Sequence, residues 1–350
     1  MFKKKSVYFT LLALAIVFEL FIYSASDQDN VNLVSSDKCK ISAFEIKKDV
    51  DFCGEKAPLH SPDILERYER EVLKNAHWHS EIILLYKRSG KYFPLIERIL
   101  TENGIPDDFK YLCVIESGLA NVVSPVGASG FWQIMEKTGK EYGLEINKNV
   151  DERYHLEKAT RVACEYFKRS YKKFGSWTLV AASYNMGISG VAKRLKRQQV
   201  NSYYDLLINT ETSRYVFRIL ALKQILKNPD QYNFNFSNCK KYEQVPMRYA
   251  MVDSSVTNLI DWSLNESINY KILKIYNPWL KSRRLPNIDS TMYKIAIPKN
   301  ADINMSTYSA DSTDSIVLIE SIGSIELLSP VDSLKKRVDS LIVTPDSSNE

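Results

Sequence analysis

Glu116 closes the stretch Tyr111-Leu-Cys-Val-Ile-Glu-Ser-Gly118, and Ser124-Pro-Val-Gly-Ala-Ser-Gly-Phe-Trp-Gln-Ile-Met135 follows shortly after it. A glutamate that ends an apolar run and opens onto a Gly-rich loop is placed to donate a proton. Further along, Ala181-Ala-Ser-Tyr-Asn-Met-Gly187 supplies a phenol, Tyr184, and an amide, Asn185, that can complete a polar site. Read together, the three blocks point to glycan chemistry.

The chemistry depends on the element that carries Glu116. Pro106 suits a first helical position, Asp107 and Asp108 favour the positive end of a helix dipole, and Ser117-Gly118 stops the pattern. Phe109, Leu112, Cys113 and Glu116 then fall at i, i+3, i+4 and i+7, so the carboxyl shares a face with apolar side chains. Desolvation on that face disfavours the anion, and the negative end of the dipole acts in the same direction. Both raise the pKa toward the range a general acid needs near neutral pH. The same spacing also fits a solvated glutamate that merely ends a helix, and pattern does not choose between the two.

The surrounding elements read as helical. Ser61-Pro62-Asp63 opens one helix, and Tyr92, Leu95, Ile96 and Ile99 recur at helical spacing before Asn103-Gly104. His155 to Phe174 is amphipathic and ends at Gly175, Trp177 to Asn185 reads as a buried helix, and Tyr215, Ile219, Leu222 and Leu226 mark another before Asn228-Pro229. No strand-length alternation interrupts residues 63–228, which are expected to form one α-helical domain. Residues 229–244 read as a linker. In residues 245–300, Val245 to Val252 and Tyr293 to Ile297 are expected strands, flanking short helices at Val256 to Leu264 and Tyr270 to Tyr276. The Ser- and Asp-rich stretch 301–350 reads as a disordered tail.

Compartment is written at the N-terminus. Lys3, Lys4 and Lys5 precede an apolar run from Val7 to Tyr23 broken only by Thr10 and Glu19, so residues 1–26 are expected to be a signal peptide or a membrane anchor. Residues 27–62 then read as a linker. The chain is therefore expected to be exported, to the periplasm or cell envelope. Five cysteines show no metal spacing; a Cys39–Cys53 bridge is open to an exported chain, and Cys113 and Cys164 read as core thiols. Net charge is +5, with −6 on residues 301–350 and so +11 on the rest. Such a body favours anionic polymers, and no nucleic-acid motif accompanies it.

The stretch from about Tyr92 to Leu226 closely resembles the catalytic domain of soluble-lytic-transglycosylase-like enzymes, glycoside hydrolase family 23. The resemblance rests on Gly104-Ile-Pro106, Glu116-Ser117, the Ser124–Met135 block, Ala182-Ser-Tyr-Asn-Met-Gly187 and Glu211-Thr-Ser-Arg-Tyr-Val216, in that order. Residues 245–300 look like a divergent LysM glycan-binding module in which Val252-Asp-Ser-Ser255 replaces the usual Gly-Asp-Thr start. A structural appendage and a working glycan binder are both open for it. The resemblance implies a mainly α, goose-lysozyme-like catalytic domain followed by a small α+β module. It also implies cleavage of the β-1,4 bond between N-acetylmuramic acid and N-acetylglucosamine in peptidoglycan, without cofactor or metal.

By the same resemblance, Glu116 protonates the leaving oxygen and then, as a base, takes the proton of the muramic acid 6-hydroxyl, so that a 1,6-anhydro ring closes without water. Ordinary glycosidases need two carboxylates. Among the motif blocks only Glu116 reads as catalytic; Asp151 is expected to cap a helix, and Glu136, which stands where the family commonly has proline, and Glu141 to be exposed. Ser124 and Tyr184 are expected to hydrogen-bond the glutamate or the substrate's N-acetyl group, and Gln133 and Met135 to line the glycan groove. Gly127 and Gly130 are expected to let backbone approach sugar, Asn185 to brace the loop bearing Glu116, and Tyr215 to bring a phenol near that carboxylate. Phe131 and Met135, at helical spacing, are equally candidates for core, and Trp132 for a sugar platform or a groove wall. A goose-type lysozyme and a non-catalytic wall-binding protein are the alternatives. Expected partners are peptidoglycan glycan strands and the proteins of wall synthesis or division.

Overall fold

The computed structural model of the chain describes residues 45–299. The segment expected as signal or anchor at 1–26, the start of the 27–62 linker with Cys39, and the 301–350 tail lie outside the described residues. Among the described residues no helix is long and apolar enough to cross a membrane. Two compact units share the described residues: one holds those up to Leu119 together with Ala163–Tyr242, the other Ala120–Val162 together with those from Glu243.

The first unit is helical, and apart from a helix at Ile188–Gln198 that the sequence reading does not anticipate, its helices are those the apolar periodicity predicts. α1 (Pro62–Ala76), α2 (His79–Glu102) and α3 (Phe109–Ser117) precede the greater part of α5 (Leu156–Phe174). α6 (Trp177–Met186), α7 (Ile188–Gln198) and α8 (Thr210–Lys227) complete it. α8 is apolar on nearly every side, with Tyr215, Val216, Phe217, Ile219, Leu220 and Ile225 all buried, and such a helix belongs in a core. It packs against α1, α3 and α6, so it fixes the elements around Glu116. Its start is capped by Asn209, whose Oδ1 accepts the Thr212 amide at 2.8 Å.

Of the two segments expected as linkers, residues 45–62 and 229–242 belong to this unit. Within 27–62, Asp51–Phe52 (β1) and Glu55–Lys56 (β2) form a short antiparallel hairpin, and Val50 and Phe52 are buried in the core. Its Glu55 carboxylate accepts the amides of Trp177 and Thr178, satisfying donors at the N-terminus of α6 and complementing its dipole. Within 229–244, Phe234 and Phe236 are buried, Phe236 stacks on Tyr86 of α2 with ring centroids 3.9 Å apart, and the Tyr242 amide donates to the Lys87 carbonyl at 2.8 Å. Both segments carry aromatic residues that have a place in the core, which separates them from true linkers.

The second unit joins residues 120–162 to the C-terminal module. α4 (Glu136–Glu141) and a 3-10 turn at Glu152–Tyr154 are its regular pieces before the start of α5. In the module, β3 (Met247–Val252) and β4 (Tyr293–Pro298) pair antiparallel in the register Met247 to Pro298 and Val252 to Tyr293. α9 (Leu259–Asn265) and α10 (Tyr270–Tyr276) lie between them in sequence, as the pattern predicts. Asn258 and Asn269 cap the two helices. Buried Asn277 ends α10 by donating to the Leu273 and Ala296 carbonyls and accepting the Ala296 amide, so the helix is pinned to β4.

Candidate active site

α3 brings Glu116 to its place. The helix stops where Gly118 takes the left-handed conformation at φ 60° and donates its amide to the Val114 carbonyl at 2.8 Å. Phe109 to Ile115 are all buried, so α3 is enclosed on every side and not only on the face the spacing predicts, while Glu116 keeps a partly exposed edge. Pro106 to Asp108 form tight turns ahead of the helix rather than its first turn. Asp108 is itself buried and pairs with Lys223 of α8 at 2.6 Å, which ties the start of α3 to the central helix.

Around the carboxyl stand groups from two other helices. The Tyr215 phenol of α8 donates a short hydrogen bond to Glu116 Oε1. Burial lifts the Glu116 pKa to about 7, against the opposing pull of the Tyr215 bond and the positive Arg218; the negative Glu211 adds to the rise. Arg218 donates to the Ile115 carbonyl at 3.2 Å, so the cation sits at the end of α3. Tyr184 of α6 packs on Tyr166 and Phe167, and burial with the nearby Glu116 charge pushes its phenol well up, as it does for Tyr215. Both phenols are therefore donors throughout the physiological range. The arrangement can hold one carboxyl half protonated near neutral pH with hydroxyl donors beside it.

Asn185 reaches α8 instead of the loop bearing Glu116: its Oδ1 accepts from Thr212 Oγ1 at 2.6 Å and its Nδ2 donates to Glu211 Oε1 at 2.9 Å. Glu211 and Arg218 are the residues that sequence reasoning missed. Glu211 lies inside a quoted block, at the first turn of α8, and Arg218 lies about two turns further along the same helix. Their influence on Glu116 follows from how α8 packs on α3, which spacing within one helix does not reveal.

In the second unit, Ser124, Gln133 and Met135 share one tightly held loop. The Ser124 amide donates to the Ala128 carbonyl at 2.9 Å, and Ser124 Oγ accepts the Ala128 amide at 3.0 Å. Gln133 takes a left-handed φ of 48°, and its Nε2 donates to the carbonyls of Val122 at 2.9 Å and Gly130 at 2.7 Å. Residues 131–133 form turns, Ile134 bridges to Ser129, and none of this stretch is helical, so Phe131 and Met135 part company: Phe131 is buried, and Met135, just before α4, is 45% exposed. Val122, Val123 and Val126 are exposed on the same loop. Trp132 is fully buried with its indole N–H on Thr160 Oγ1 at 2.8 Å, which makes it wall and not platform. Gly127 is open at φ 85°, whereas a side chain on Gly130, φ 82°, would collide with the Arg153 carbonyl. The close backbone approach at Gly130 is thus made to protein.

Asp151 caps the 3-10 turn by accepting the Arg153 amide at 3.2 Å, and Glu136 is exposed, pairing with Lys140. Cys113 and Cys164 are buried thiols. Among the described residues no group of three or more metal-ligating side chains is assembled.

Residues 94–207 match the Transglycosylase SLT domain family, and residues 248–301 match the soluble lytic transglycosylase C-terminal LysM-like domain family. The chain is 26% identical over 259 residues to the membrane-bound lytic murein transglycosylase D of Escherichia coli K12, covering 72% of this chain and 56% of that protein. It thus spans about half the length of the curated relatives it matches. Among solved structures, the 70 kDa soluble lytic transglycosylase of Escherichia coli is matched at 22% identity over 43% of this chain and 27% of that one, with a TM-score of 0.34. An inactive mutant of the lytic transglycosylase Slt from Pseudomonas aeruginosa is matched at 18% identity over 40% and 24%, with a TM-score of 0.31.

Proposed function

We propose that this chain, which carries a transglycosylase SLT domain followed by a LysM-like C-terminal domain, is a murein lytic transglycosylase acting on the bond between N-acetylmuramic acid and N-acetylglucosamine. The observation that carries the reading is Glu116: a carboxyl lifted to about 7 by burial and held by a phenol. At that pKa the group is both a competent acid and, once it has given its proton, a competent base. The protonated form donates to the leaving glycosidic oxygen while the substrate's own N-acetyl carbonyl stabilises the sugar cation. The carboxylate then takes the 6-hydroxyl proton as that oxygen closes on the anomeric carbon. One group serves both steps and no water enters.

The remaining roles are part of the same proposal. Tyr215 fixes which oxygen of Glu116 carries the proton, and Tyr184 offers a phenol to the carboxyl or the N-acetyl group. Asn185 acts by holding α6 to the first turn of α8. Ser124 uses its oxygen lone pair on the Ala128 amide and keeps its O–H for substrate, while Gln133 shapes the loop and exposed Met135 offers an apolar contact to a sugar ring. Export to the periplasm or envelope, with residues 7–23 as anchor, is supported by the Lys3–Lys5 and Val7–Tyr23 pattern and by the membrane-bound relative in Escherichia coli. Wall-synthesis or division proteins are the protein partners that fit this place.

A goose-type hydrolase is favoured by one observation, the carboxylate of Glu211 close enough to raise the Glu116 pKa. A hydrolase needs a second carboxylate to orient water. The two readings separate on Glu211→Gln: a transglycosylase keeps its anhydro product, whereas a hydrolase loses turnover. Glu116→Gln is expected to lower turnover of purified sacculi by at least about 100-fold; wild-type turnover in that variant removes Glu116 from its role.

A further inference from the structure

The LysM-like module is built into the SLT segment that carries Ser124, Gln133 and Met135, all within one compact unit. Val150, from the SLT segment, is buried in the module's own core with Leu259, Leu273, Leu280 and Ile295. Backbone bonds flank it: the Asp151 amide donates to the Trp279 carbonyl at 2.9 Å, and the Lys281 amide to the Asn149 carbonyl at 2.7 Å. Tyr293 of β4 adds its phenol to Glu145 Oε2 at 2.8 Å, and Lys281 lies over the Tyr154 ring. Trp279 is buried against His155 and Tyr293.

From Asp151 the connection runs to the substrate loop. The Asp151 carboxylate holds Arg153 in a two-point pair, Oδ1 to Nε at 3.0 Å and Oδ2 to Nη2 at 2.7 Å, and both residues are buried. The third arm of the guanidinium, Nη1, donates to the carbonyls of Gly127 at 2.9 Å and Ile134 at 3.3 Å. These two carbonyls bracket the turn between Ser124 and Met135, and Gly130 at its centre rests on the Arg153 carbonyl. A planar fork with three arms occupied fixes both position and orientation, which an ammonium cannot do.

We propose that the LysM-like module is a positioning element for the loop that binds glycan, acting through Leu280 and Val150, then Asp151 and Arg153, on Gly127 and Ile134. Asp151 and Arg153 are positioning residues in this scheme. The inference rests on the reading of the Ser124–Met135 loop as glycan-binding. It differs from a tethered wall-binding module in that loosening the module loosens the loop.

The test uses the full chain with two variants, Leu280→Ala, which opens a cavity under Val150, and Arg153→Lys, which keeps the charge and loses the fork. Hydrogen–deuterium exchange is read on the amides of residues 122–135 and, as a control, on α8; KM and kcat are read on purified glycan strands across pH. Both variants are expected to speed exchange at Ser129, Gly130 and Ile134 and to raise KM by about ten-fold. Exchange in α8 and the pH dependence of kcat, set by Glu116, are expected to stay as in the wild type. Unchanged loop exchange in Leu280→Ala, with faster exchange confined to residues 247–298, overturns the brace whatever the activity. Loosened loop amides with an unchanged KM overturn the glycan-binding reading of the loop and the positioning role with it. A wild-type chain that makes no anhydro product overturns the proposed chemistry, and the exchange arm still decides the brace.

Discussion

A carboxyl with a pKa of about 7 has its two protonation states nearly equal in energy at neutral pH, and Glu116 owes this to burial set against one phenol and one guanidinium. Turnover that begins with proton donation falls as pH rises through that value. Tyr215→Phe removes a bond that favours the anion, so the falling limb of the kcat/KM profile is expected to move up by about one pH unit; a limb that stays in place contradicts the assigned hydrogen bond. Stability carries the same sign. The folded pKa lies above the ordinary 4.5, so the folded chain binds more protons between about 4.5 and 7, and the stability conferred at low pH is lost across that window. Glu116→Gln is therefore expected to exceed the wild type by ~1–3 kcal/mol above pH 7 and to match it below pH 4.5, read from denaturant melts. Glu116 and Tyr215 were legible because both lie on apolar helical faces. Glu211 and Arg218 were not, because only the packing of α8 on α3 brings their charges to the site.

At the scale of elements, α8 is the post against which α3 is set, and Lys223 with Asp108 is the joint between them. Both are buried, 5% and 8% exposed, and the lysine also donates to the Asp51 carbonyl at 2.8 Å. Lys223→Met leaves the Asp108 carboxylate buried with its charge largely uncompensated, and a loss of about 3–5 kcal/mol is expected in chemical denaturation. A loss below about 1 kcal/mol would mean that the pair is not a joint. In the second unit, Gly130→Ala forces both a left-handed φ and a collision with Arg153, and a measurable fall in melting temperature is expected. The long helices were legible in the sequence because periodicity over many residues is a strong signal. The β1–β2 hairpin was not, since strands of two residues show no alternation; Phe52 and Glu55 acquire meaning only once α3 and α6 are present to receive them.

For the whole molecule, the sequence read from end to end suggests catalytic domain, linker and module in series. The compact units are interleaved instead, because Val150 completes the core of the module and Phe234 and Phe236 complete the core of the first unit. A linear reading finds apolar residues but not which core receives them. If the basic body, +11 outside residues 301–350, meets the anionic wall polymer of the proposed function, retention on sacculi is expected to weaken as salt rises toward about 1 M. In the proposed reaction one carboxyl closes a ring without water. Digestion of purified sacculi by the wild-type chain, followed by mass spectrometry of the released muropeptides, tests it directly. The account predicts 1,6-anhydromuramoyl ends, one water lighter than hydrolysis products and absent with Glu116→Gln; reducing muramic acid ends as the main product would contradict it.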